Sequence, residues 1–179
     1  MYLAFLWNRE DLKERYEYFR EFEYSSGPLM YNGAVHSFIA GLASFRLYRQ
    51  TRDSIWVNRG AERVEDTRVW STKGSSWNFQ HKLLLLEAEE MYSHGNIDGA
   101  TELYKKVITG AKKHKFINDE AMALELTANF YLETDNLTAA LNHFQLAHER
   151  YETWGAVQKA DQLFQFVKER FRPLLGTST

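Results

Sequence analysis

Residues 84–107 read LLLEAEEMYSHGNIDGATELYKKV, and residues 124–147 read LELTANFYLETDNLTAALNHFQLA. Laid over one another at a shift of forty, Leu84 falls on Leu124, Ala88 on Ala128, Asn96 on Asn136, Ile97 on Leu137, Ala100 on Ala140, Tyr104 on Phe144 and Val107 on Ala147. Self-similarity at a fixed period marks a repeated supersecondary unit. In the second copy Ala121, Leu124, Ala128, Tyr131 and Leu132 share one helical face. Ala140, Phe144, Ala147 and Tyr151 follow the i, i+4, i+7, i+11 spacing of another. Between the two faces lies Thr134-Asp135-Asn136, echoed by Ser93-His94-Gly95-Asn96. Gly and Asn tolerate the left-handed backbone that ends a helix, so both stretches predict tight turns. The unit is a helical hairpin, and the expected fold class is all-α.

Ala100 and Ala140 each stand four residues before an aromatic ring, so paired helices can approach closely while the ring fills the space beyond. At Leu84, Ala88, Gly95, Ala100, Tyr104 and Val107, and again at Leu124, Ala128, Tyr131, Ala140, Phe144 and Ala147, the chain resembles the tetratricopeptide-repeat superfamily. The resemblance covers residues 81–153 and implies a right-handed α-α superhelix of hairpins, about nine helices in all. Two features depart from the family pattern: the period is forty rather than about 34, and Lys112 or Glu152 stands where proline is usual. The second helix of each unit is therefore expected to run into Lys113-His114-Lys115 and Thr153-Trp154-Gly155.

Outward from this core the helical period persists. Residues 34–50 carry Phe38, Leu42, Phe45 and Tyr48 or Arg49 at helical spacing, and residues 53–71 carry Trp56, Gly60, Val64 and Trp70. Gly60 and Val64 stand forty before Ala100 and Tyr104, which marks a diverged earlier pair. Residues 1–24 read as a short helix, a turn near Asn8-Arg9-Glu10-Asp11, and a charged helix with Leu12, Tyr16, Phe19 and Phe22 or Glu23, broken at Ser25-Ser26-Gly27-Pro28. A last helix over 157–171 sets Leu163, Phe164, Val167 and Phe171 against Gln158, Lys159, Asp161, Gln162, Gln165 and Glu169, the polar outer face expected of a capping helix. The expected organisation is one domain over 1–172, with hairpins at 1–24, 34–71, 77–115 and 119–154, the capping helix 157–171, and a disordered tail over 173–179 beginning at Pro173 and Gly176.

Trp77-Asn78-Phe79-Gln80-His81-Lys82, with Leu84, Leu85 and Glu87-Ala88-Glu89, is similar to the tetratricopeptide-like segment of very large signalling proteins that carry an AAA-type ATPase with sensor histidine kinase or protein kinase modules. Phe116-Ile117-Asn118-Asp119-Glu120-Ala121, Phe130-Tyr131-Leu132 and Tyr151-Glu152-Thr153-Trp154-Gly155-Ala156 follow in the same order. The resemblance implies a relay segment, without the ATPase or kinase.

Composition narrows the chemistry. The 179 residues contain no cysteine, which removes disulfides, zinc thiolates and a thiol nucleophile. A formal charge of −2 gives no bulk attraction to nucleic acid or anionic lipid. Met1-Tyr2-Leu3-Ala4-Phe5-Leu6-Trp7 lacks a basic leader and soon meets Glu10-Asp11, so no signal peptide and no membrane span is expected, and the expected location is cytoplasmic. Asn136-Leu137-Thr138 then matches the glycosylation sequon by accident. Thr72-Lys73-Gly74-Ser75 inverts the phosphate-loop order and reads as linker, and the glycines never reach dinucleotide-binding spacing. His36, His81, His94, His114, His143 and His148 include no metal-binding pair at helical spacing. Glu87, Glu89 and Glu90 lack a nucleophile or a partner cluster, so they read as a solvated helix face with Glu89 toward a groove. No enzyme activity, cofactor or metal is expected.

Two partner surfaces remain. The first helices of the hairpins would line a groove with Lys82, Leu85, Glu89 and Tyr92, then Met122, Glu125, Asn129 and Leu132, suited to an apolar or basic segment of a protein or peptide partner or of another module of a larger parent. The alternative is a nucleic-acid surface over 46–73, using Arg46, Arg49, Arg52, Arg59, Arg63, Arg68 and Lys73 with Trp56 and Trp70, although Asp53, Glu62, Glu65 and Asp66 interrupt it. The apolar first helix is also expected to pair with a second copy as a homodimer through Leu3, Phe5, Leu6 and Trp7, the last helix taking no part.

Overall fold

The structure, a computed structural model, describes residues 1–26 and 30–172, with side chains left aside over 22–32. The described residues form nine α-helices and no strand: α1 (Tyr2–Leu6), α2 (Leu12–Ser26), α3 (Met30–Thr51), α4 (Ser54–Val69), α5 (Ser76–Ser93), α6 (Ile97–Lys113), α7 (Ile117–Glu133), α8 (Leu137–Trp154) and α9 (Val157–Arg170). The all-α class follows the sequence pattern. The break expected at Gly27-Pro28, the tail over 173–179 and the side chains of Phe22 and Glu23 lie outside the described residues. The chain divides within α6 into two compact units, Met1–Leu103 and Tyr104–Thr179.

In the first unit α4 runs antiparallel to α3, as the Ser37 to Asp66 hydrogen bond near one end requires. α5 then runs in the same direction as α3, with Lys82 near Phe38 at one end and Arg49 near Glu89 at the other. Phe38, Leu42, Phe45, Trp56, Val64, Leu85 and Leu86 fill the core. Gly60 sets the closeness of α3 and α4, because a Cβ there would lie 2.5 Å from Phe45 Cε1. It occupies the small-residue position that is Ala100 and Ala140 in the later hairpins, both fully buried. Tyr16 of α2 meets Trp56 edge-on at 5.1 Å and accepts a hydrogen bond from Ser44. Asp53 caps α4 by accepting the Ile55 N–H, and Ser75 caps α5. The stretch expected as linker, Thr72-Lys73-Gly74-Ser75, instead closes a π-helical turn (Trp70–Gly74) and the cap of α5.

In the second unit α7, α8 and α9 alternate in direction: Tyr131 meets His143, Arg150 reaches toward Glu120, and Phe144 packs on Phe171. The C-terminal half of α6 adds Tyr104, whose ring lies 5.2 Å from that of Phe130. Of the residues whose spacing suggested helices, Ala121, Leu124, Ala128, Ala140, Phe144, Ala147 and Tyr151 are buried, and Tyr131 and Leu132 are half-buried.

Four helix ends share one geometry at twenty-residue intervals. Gly95, Lys115, Asp135 and Gly155 have φ of +79°, +60°, +60° and +86°. In each case that residue's N–H bonds the carbonyl three back, and the next N–H bonds the carbonyl five back: Gly95 to Tyr92 and Asn96 to Met91, Lys115 to Lys112 and Phe116 to Ala111, Asp135 to Leu132 and Asn136 to Tyr131, Gly155 to Glu152 and Ala156 to Tyr151. This is the Schellman closure, which satisfies two orphan carbonyls at a helix end. Asn96 and Asn136 then cap the next helix, each Oδ1 accepting an N–H three residues on, at 2.9 and 3.1 Å.

Candidate functional site

The residues expected to line a groove on the first helices are found on α5, in the first unit, and on α7, in the second. On α5 Leu85 is buried, and Lys82 is half-buried with Nζ 3.2 Å from His81 Nε2 and above the Phe38 ring. Glu89 is not a solvated acid: its side chain is 2% exposed, and Oε2 accepts a 2.7 Å hydrogen bond from Arg49 of α3. The same guanidinium donates to Ser93 Oγ and lies 4.5 Å above the Tyr92 ring. The expected acidic rim at this position is therefore an internal ion pair that joins two parallel helices.

On α7 Met122 is buried, while Glu125, Asn129 and Leu132 are half-buried. Glu125 Oε1 accepts from Lys159 Nζ of α9, Glu125 Oε2 accepts from Tyr151 Oη of α8, both at 2.7 Å, and Lys159 also donates to Gln162. Lys159, expected on a polar outer face, is 4% exposed; α9 turns it inward because the carboxylate waits there. Asn129 Nδ2 bonds the Glu125 carbonyl along its own helix. A carboxylate already holding an ammonium and a phenol has little charge left for a basic partner, because the field of a neutralised pair falls off steeply.

Five of the six arginines of the nucleic-acid alternative are likewise engaged. Arg46 donates to the Phe5 carbonyl and covers the Phe5 ring at 4.0 Å. Arg49 holds Glu89, Arg59 holds Glu17, Arg63 holds Asp66, and Arg68 holds Glu65 and Glu87. Trp56 is fully buried, with Tyr16 at its edge and Arg59 on its face, so it offers no stacking platform. Arg52 and Lys73 stay exposed. Glu90, beside Glu87, has its carboxyl pushed above the ordinary carboxylate value, chiefly by burial.

At the N-terminus the expected dimer contact is corrected at Phe5. That side chain is buried in the first unit beneath Arg46, and Leu6 and Trp7 are half-covered, leaving Leu3 as the exposed apolar member. Short α1 finds its apolar cover on α2 and α3, which its own pattern could not disclose. The last helix does expose Gln158, Asp161, Gln165 and Glu169 of its expected polar face, and with them Val157 and Phe164. Among the described residues no group of three or more His, Asp or Glu side chains could hold a metal ion, and no helix is long and apolar enough to cross a membrane. Comparison with protein-family models, with curated proteins and with solved structures returned no match.

Proposed function

We propose that the chain is a non-enzymatic interaction or relay module built of helical hairpins, binding a protein or peptide partner or another module of a larger signal-transduction protein. The observation that carries this role is the Schellman closure recurring every twenty residues, which repeats one turn from α5 to α9 and one helix length, 17 or 18 residues, from α5 to α8. Arrays of that kind present first-helix faces to partners. The relay role is taken from the resemblance to ATPase and kinase signalling proteins. Since Glu89 and Glu125 are spent on internal pairs, recognition falls to the partly exposed side chains within each unit: Lys82 and Tyr92 on α5 of the first, or Asn129 and Leu132 on α7 of the second.

The test is affinity capture against lysate of the source cell with quantitative mass spectrometry, comparing the native chain with Lys82→Glu and Leu132→Lys variants of unchanged melting temperature. A partner captured by the native chain and lost from either variant supports the role. A partner retained by both places recognition elsewhere on the chain. In parallel, anisotropy of a labelled single-stranded oligonucleotide should show no salt-dependent binding. Steep salt dependence, lost in Arg52→Glu with Lys73→Glu, would favour the nucleic-acid alternative.

A further inference from the structure

α9 carries a second face that its contacts with α8 leave largely open, the one α8 ring against it being His148, whose centroid lies 5.9 Å from that of Phe164. Val157, Asp161, Phe164 and Lys168 follow the i, i+4, i+7, i+11 rule and so lie in one stripe. All four are exposed, Val157 at 58% and Phe164 at 52%. They stand forty after Ile117, Ala121, Leu124 and Ala128, which are apolar throughout. Two of the small or apolar positions of α7 are thus replaced on α9 by charges of opposite sign, and neither Asp161 nor Lys168 has an ion-pair partner among the described residues. A closely packed further hairpin would need the small residues that this stripe has lost. The stripe is instead complementary to itself.

We infer that this face of α9 pairs with the same face of a second copy of the chain, antiparallel about a two-fold axis beside Phe164. In an antiparallel pair centred there, Asp161 meets the partner's Lys168, Lys168 meets the partner's Asp161, and the two Phe164 rings meet near the axis. The arrangement is isologous, so one pair of charges serves twice. One helix of about 21 Å on each side buries less than roughly 1,200 Å² in total, the low end for specific contacts, so association is weak and depends on concentration.

Sedimentation equilibrium of the whole chain from about 10 μM to about 1 mM covers the range expected of so small an interface. The native chain should show a monomer–dimer equilibrium, weakened at least about tenfold by Asp161→Lys or by Lys168→Asp, each of which turns two attractions into two repulsions. The double variant Asp161→Lys with Lys168→Asp should recover the native constant, and an equimolar mixture of the two single variants should form a heterodimer tighter than either alone. Phe164→Ser should weaken the dimer with its ion pairs intact, and far-ultraviolet circular dichroism should be unchanged in every variant. A native chain that stays monomeric at the highest concentration overturns the pairing. So does a dimer indifferent to both single reversals, or a double variant that fails to recover.

Discussion

In the first unit the carboxylate is the buried member of the ion pair that joins two parallel helices; in the second unit the ammonium is. Glu89 is 2% exposed against 14% for Arg49, whereas Lys159 is 4% exposed against 17% for Glu125. The bonds are equally short, so distance does not distinguish them. What differs is which charge is stranded when the other is removed. A buried charge without its partner costs far more than the intact pair contributes, because desolvation is no longer offset. The two joints should therefore fail from opposite ends.

Glu125→Ala, which strands the lysine, and Arg49→Ala, which strands the buried carboxylate, should each lower unfolding free energy by about 3–5 kcal/mol in urea titrations. The reciprocal changes, Lys159→Ala and Glu89→Ala, should cost clearly less, since Arg49 and Glu125 each keep some water, and Glu125 keeps the Tyr151 hydroxyl. Equal losses from both ends would remove the contrast.

A smaller effect tests the shared small-residue position. Gly60→Ala forces a methyl group toward Phe45, and Ala140→Leu overfills its fully buried counterpart in the second unit. Each should cost about 1–3 kcal/mol by overpacking, read as a lowered melting temperature. An unchanged midpoint for either would mean that its helices are not closely apposed there.

Smaller still is the effect at the turns. Lys115 and Asp135 hold the left-handed conformation that glycine holds at Gly95 and Gly155. Lys115→Gly and Asp135→Gly should stabilise by roughly 0.5–1 kcal/mol, while Gly95→Ala and Gly155→Ala should destabilise by a similar amount. The smallest effect is at Glu90. Burial raises its carboxyl pKa, so the folded chain binds that proton more readily than the unfolded chain, and stability falls as pH rises through the raised value. Glu90→Gln should therefore raise the melting temperature slightly at neutral pH, the gain vanishing as pH drops below the ordinary carboxylate range.

The hairpins were legible in the sequence because they rest on spacing along one helix: Ala140, Phe144, Ala147 and Tyr151 announce their face without reference to any other element. The half-period of twenty was not legible: Gly95 and Gly155 stand sixty apart, and nothing in Lys115 or Asp135 between them advertises a left-handed backbone. The joints were not legible. Whether Glu89 meets water or Arg49 depends on the register between α3 and α5, forty residues apart in the chain, and no period within α5 encodes it. Lys159 misled for a related reason: its position on α9 is polar, and its partner on α7 lies 34 residues earlier. Phe5 was read as an open surface because the arginine that covers it comes 41 residues later.

The acids Glu89 and Glu125 on the first helices hold the fold together through internal ion pairs. A double-mutant cycle on Glu125 and Lys159, with Glu125→Gln, Lys159→Met and the pair measured by urea denaturation, tests it most directly. A joint of this geometry should give a coupling energy of about 1–3 kcal/mol, the double variant being far more stable than the sum of the two single losses implies. Additivity within about 0.5 kcal/mol would contradict it, returning Glu125 to the solvent-facing rim that its position in the sequence suggests.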